Sequence, residues 1–69
     1  MGAFRKVLLL RTVIVNLTDG SSISGVLYRD PGNLIVLKNA TYFEPGAEPA
    51  PLDGDTVIDR AQVLFVQAP

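Results

Sequence analysis

The sequence contains no cysteine and no histidine. Without thiols there is no disulfide staple and no thiolate nucleophile. Without imidazoles the chain lacks the commonest general base and the usual zinc ligands. Long hydrophobic runs are missing as well. Apolar stretches such as Val7-Leu8-Leu9-Leu10 and Leu34-Ile35-Val36-Leu37 fall far short of the roughly 20 residues that a membrane-spanning helix requires, so no membrane partner is expected. Arg11 closes the first of them too early for the apolar region of a secretory signal, which predicts a protein that stays in the cytoplasm. A basic excess is also lacking. The formal net charge is −1, whereas proteins that hold phosphate backbones by charge present a basic surface.

What remains is a short, apolar chain of 69 residues, 48% of them hydrophobic. That excludes a disordered segment. A domain of this size buries only about 60% of the surface its unfolded chain exposes, so it is marginal alone. With disulfides and metals unavailable, the remaining route to stability is burial against copies of itself or against a larger body. The charge is uneven: Arg5, Lys6 and Arg11 precede a remainder in which three cations face seven acidic residues. A basic tip on an acidic body suits an acidic partner surface.

In chain order, Phe4, Val7, Leu8 and Leu10 recur at a spacing close to one face of a short helix or arm over residues 2–10. Two turns of helix are not stable in isolation, so this segment is expected to dock. From residue 12 the period changes to two. Val13, Val15 and Leu17 share one face of a first strand, and Asp19-Gly20 supplies the turn that follows. A second strand, residues 22–29, carries Gly25 at its centre, which marks a sharp bend or a close backbone approach. Asp30-Pro31-Gly32-Asn33 turns the chain again into a long third strand, residues 34–43, whose run Leu34-Ile35-Val36-Leu37 predicts burial on both faces and therefore a partner.

Three prolines between Glu44 and Pro51 predict an exposed, stiffened loop over residues 44–53 without regular pairing. A fourth strand at 56–59 and a fifth at 62–67 complete an all-β chain of one domain, residues 1–69, with the barrel at 12–67. The last strand, with Val63, Leu64, Phe65 and Val66, is apolar on both sides.

The catalytic inventory is thin. Ser21, Ser22 and Ser24 have no histidine or cysteine to activate them and read as turn and solvent-face residues. Asp53-Gly54-Asp55 is too sparse for a calcium loop and reads as a turn. Tyr28, Tyr42 and Phe43 read as packing aromatics, and Arg60 as an ion-pair partner of Asp30 or Asp59. No catalytic residue, cofactor or metal is expected.

These residues resemble the Sm-like fold, the strongly bent five-stranded small barrel of Sm, Lsm and Hfq proteins. The first Sm motif is matched by Val13, Val15, Leu17, Asp19, Gly20, Ile23, Gly25, Leu27, Asp30, Ile35, Leu37, Asn39 and Ala40. The second is similar to Ile58-Asp59-Arg60-Ala61-Gln62-Val63. Family members that bind uridine-rich RNA stack a base on an aromatic or histidine two residues after the conserved aspartate and read its edge with an asparagine two further on. Here those places hold Gly32 and Leu34, the segment between Gly25 and Asp30 is one residue shorter than usual, and Ala61 replaces a glycine. The resemblance thus implies the fold and disfavours the RNA pocket, whose stacking contribution of roughly 1–3 kcal/mol per base is missing.

The chain's length, its Met-Gly-Ala-Phe-Arg-Lys start and its acidic Pro/Gly loop also resemble small proteins encoded among actinobacteriophage structural genes. Together these features lead to the expectation of a non-enzymatic, homo-oligomeric assembly protein, a bacteriophage minor capsid or decoration subunit incorporated in a virion. Phe4, Val7, Leu8, Leu10, Leu34, Val36, Leu64 and Val66 would form its interfaces. The alternative is an Sm-like RNA-binding ring in which Asn33, Lys38 and Arg60 line a reduced pocket.

Overall fold

The computed structural model describes residues 10–69. Six strands, β1 (Thr12–Leu17), β2 (Ser22–Arg29), β3 (Leu34–Phe43), β4 (Ala50–Pro51), β5 (Thr56–Asp59) and β6 (Val63–Gln67), form one antiparallel sheet, and a 3₁₀ turn, Arg60–Gln62, joins the last two. Along the sheet the order is β4-β3-β2-β1-β6, with β5 also on β3. The expected N-terminal helix, with Phe4, Val7 and Leu8, lies outside the described residues.

The bend in the sheet is written at one point. Gly25 sits where the pairing of β2 and β3 shifts register, between Ser24 opposite Thr41 and Val26 opposite Lys38. Two residues of β3, Asn39 and Ala40, are accommodated against one of β2, and Asn39 takes a φ of 53°. Asparagine tolerates that left-handed conformation better than other L-residues, and such a bulge increases local twist. A β-carbon at position 25 would lie 3.0 Å from the Lys38 carbonyl oxygen and 3.2 Å from the Ala40 α-carbon. The close approach predicted for Gly25 is therefore present, and it is backbone against backbone.

Alternation places Val13 and Val15 of β1, Ile23 and Leu27 of β2, Ile35 and Leu37 of β3 and Ile58 of β5 in one buried cluster with Ala40. Leu17, Tyr42, Leu52, Val63 and Val66 pack around it. Of the run at the start of β3, Ile35, Val36 and Leu37 are buried, as its composition predicts, whereas Leu34 is 40% exposed. That burial is achieved within a single chain, so the expectation that this run by itself requires a partner is corrected.

The Pro-rich stretch pairs more than expected. Ala50 and Pro51 sit opposite Tyr42 and Thr41, and the Leu52 amide donates to the Ala40 carbonyl. An edge strand tolerates proline because its outward side needs no ladder bond. β4 and β5 line the same edge of β3, β4 at its C-terminal half and β5 along residues 34–37, so together they act as one interrupted strand. In that sense the expected five-stranded barrel holds.

Candidate functional site: a cleft between two turns and two free strand edges

The turn from β2 to β3 and the turn from β5 to β6 meet at one corner. The Arg60 amide donates to the Asn33 carbonyl at 2.8 Å, continuing the ladder that pairs Leu34 with Asp59. Below this contact the Asp30 carboxylate is buried, its side chain only 1% exposed, and Arg60 Nη2 approaches it to 3.4 Å. The ion pair holds the guanidinium against the barrel wall with 21% of the side chain exposed. Of the partners weighed from sequence for Arg60, the structure selects Asp30.

Above the ion pair lies an open cleft of about 360 Å³, lined by Asn33, Asp59, Arg60 and Ala61. Asp59 Oδ1 accepts the Ala61 amide at 2.9 Å, which caps the 3₁₀ turn and holds the carboxylate at the cleft. Asn33 and Arg60, two of the three residues expected to line a reduced pocket, are thus neighbours. Lys38 is not among the lining residues. It lies further along β3, opposite Val26, with its ammonium 4.0 Å from the centre of the Tyr28 ring and 3.8 Å from Asp55. Sequence reasoning missed Asp59 as a cleft residue. Its motif position was visible, but not that capping would hold its carboxylate there.

At another corner, Asp19 closes the β1–β2 turn. Its Oδ1 accepts both the amide and the hydroxyl of Ser21. These bonds, the hydroxyl first, hold the Asp19 carboxyl below its ordinary value of 3.8. Ser21 is buried, at 4% exposure, which corrects its reading as a solvent-face residue; a hydroxyl satisfied by a neighbouring carboxylate is cheap to bury.

The second candidate surface is the pair of free edges. Among the described residues β5 pairs only with β3, and β6 only with β1. Those two strands carry three of the most exposed large apolar side chains, Val57 at 56%, Leu64 at 65% and Phe65 at 50%. Of the predicted interface residues, Leu10, Leu34 and Leu64 are exposed, whereas Val36 is buried in its own chain and Val66 packs against the core. Val57 and Phe65 were absent from the expected interface. The only sequence signal for Val57 was its alternation with Ile58, which sends it to the other face.

The fold has solved counterparts. Over its whole length the chain superposes on the SmAP1 heptamer chain of Pyrobaculum aerophilum with a TM-score of 0.85, 24% identity and 92% of that chain covered. It superposes on a heptameric archaeal Sm protein with a TM-score of 0.84 and 25% identity, covering 99% of this chain and 98% of the other. This is the Sm-like fold. A chain of the NatC complex bound to CoA shares it at a TM-score of 0.78 and 19% identity, over 90% of this chain and 79% of that one. No protein-family model and no curated protein matches the sequence.

These findings correct the expectation of a phage minor capsid or decoration subunit. The likeness that suggested it rested on length, start and loop composition, features that any small acidic domain can share. The likeness along the whole barrel is to Sm-like chains, two of them heptameric, and it favours the Sm-like ring over a virion part.

Proposed function

We propose that this chain is a non-enzymatic Sm-like ring subunit that assembles through β5 and β6 and offers one cleft per protomer to single-stranded RNA. The observation that carries the reading is the coincidence of unpaired strand edges with exposed Val57, Leu64 and Phe65. An unpaired apolar edge is a template for further pairing. Because β5 and β6 are different strands of one protomer, pairing between copies is head-to-tail, and a head-to-tail contact closes into a ring when its rotation permits. Likeness to two chains described as heptameric supports closure.

The cleft sits where β5 passes into β6, so a ring joined through those strands repeats it around the assembly. With a net charge of −1 and Arg60 held by Asp30, attraction to phosphate is weak, so RNA binding here rests on contacts to bases. The test is sedimentation velocity with and without Phe65→Asp, paired with anisotropy of labelled RNA octamers. A closed oligomer that binds RNA, and a monomeric variant that binds far more weakly, support the reading. A wild-type monomer, or a ring with no affinity for any RNA, refutes it.

A further inference from the structure

Resting on the RNA-binding reading of this cleft, we infer that it selects guanine over uracil, with Asp59 and Asn33 as the residues that read the base. Arg60 is tied to Asp30, and its amide is spent on Asn33. Asp59 Oδ1 accepts one bond, from the Ala61 amide, and keeps its second acceptor site, and no hydrogen bond of Oδ2 is found among the described residues. The Asn33 side chain likewise makes none there, its carbonyl alone being engaged with Arg60. Both residues line the cleft, and both are exposed.

The cleft is therefore lined by a carboxylate, which only accepts, and a carboxamide, which donates and accepts. A base that fits must offer donors to the first and an acceptor to the second. Guanine does so on its Watson–Crick edge: N1–H and the N2 amino group point the same way and suit a carboxylate, and O6 beside them accepts from an amide. Uracil offers a single donor, N3–H, between two carbonyl oxygens. Against a carboxylate those oxygens are repelled as the one bond forms. Adenine offers one amino donor and cytosine one amino donor, so neither engages the carboxylate with two hydrogen bonds.

One further observation points the same way. The place where an aromatic platform would stack a uracil is Gly32, whose backbone has a φ of 54° and no other atom within 4 Å of a would-be side chain. With no stacking surface there, discrimination falls to the hydrogen-bonding edge.

The experiment is anisotropy of the assembled wild-type protein with the labelled octamers (GA)4, (IA)4 and (UA)4, where I is inosine, which lacks the N2 amino donor. The alternating design avoids runs of guanine. We expect (GA)4 to bind about tenfold or more tighter than (UA)4, with (IA)4 between them, the size expected of one bidentate base contact. Asp59→Asn keeps an oxygen to cap Ala61 but removes the charge, and it should bring the three octamers to within about twofold of one another, with the oligomer intact by sedimentation. Equal or tighter binding of (UA)4 by wild type, or a guanine preference that survives in Asp59→Asn, overturns the inference and leaves the ring reading standing. Failure of all three octamers to bind overturns both.

Discussion

Gly25→Ala places a methyl group inside a crossing that has no room for it. The added carbon would lie 3.0 Å from the Lys38 carbonyl oxygen, 3.2 Å from the Ala40 α-carbon and 3.2 Å from the Leu37 β-carbon. Comfortable separation between such atoms is about 3.5–4.0 Å, so each contact is short by a few tenths of an ångström or more. Two of the three atoms are backbone, and the third belongs to Leu37, which is fully buried. None can swing aside. Relief requires β2 and β3 to separate at the bulge, where the barrel closes on its core. Forcing a methyl group into packing this tight costs about 1–3 kcal/mol, less a few tenths returned by the stiffer unfolded chain.

For a domain this small each kcal/mol lowers the melting temperature by about 4–8 °C, so a drop of about 5–20 °C is expected. Circular-dichroism melts of wild type and variant would be compared at equal protomer concentration, because an oligomer's midpoint depends on it. Gly46→Ala is the control. Its φ of 81° carries strain, but nothing lies within 4 Å, so its cost is the backbone contribution alone, about 1 kcal/mol. A Gly25→Ala midpoint within about 2 °C of wild type, or a larger loss in the control, would refute the claim that steric approach fixes this residue.

Two other perturbations follow from the same geometry. Arg60→Ala removes the cation that lies 3.4 Å from the buried Asp30 carboxylate. It should destabilise the fold by about 2 kcal/mol, less than for a fully buried pair because the guanidinium keeps partial solvent access, and urea denaturation measures it. At the β1–β2 turn, the folded Asp19 carboxyl titrates below its ordinary 3.8, so the stability it contributes is present above that value and is lost as pH falls through the lower folded value. Ser21→Ala removes the principal cause, so NMR titration should find the Asp19 carboxyl moving back toward 3.8, and the loss of stability below about pH 4 should become shallower; an unchanged titration would show that the hydroxyl plays no part.

Much of the barrel was legible because its signals are local. Alternating Val13, Val15 and Leu17, the turn residues Asp19-Gly20 and Asp30-Pro31-Gly32-Asn33, and a glycine inside a strand each impose their structure within a few residues, and the bounds of β1, β2 and β3 match what they imply. What sequence did not disclose depends on contacts between distant residues. Ala50 and Pro51 pair because β5 covers only residues 34–37 of that edge of β3 and leaves Thr41 and Tyr42 open to them, which no count of prolines predicts. Lys38 looks like a companion of Asn33 and Arg60 until the register carries it along β3 to Tyr28 and Asp55.

Burial also needed three dimensions. Val36 and Leu64 stand alike in apolar runs, but β3 is central and covered while β6 is an edge, so one is 4% exposed and the other 65%. The phage reading erred for a related reason, since composition at the ends of a chain carries little of the information held in its strand order. Asp59 entered the cleft through a capping bond to Ala61, a detail of backbone geometry rather than of motif.

The central claim is that the free edges of β5 and β6 join identical copies into a closed ring, and native mass spectrometry tests it most directly. One dominant species is expected at a fixed multiple of the protomer mass, unchanged over a wide range of protein concentration, and collapsing to protomers in Val57→Lys or Phe65→Asp. A protomer alone at every concentration, an open-ended ladder of masses, or a ring untouched by both substitutions would contradict it.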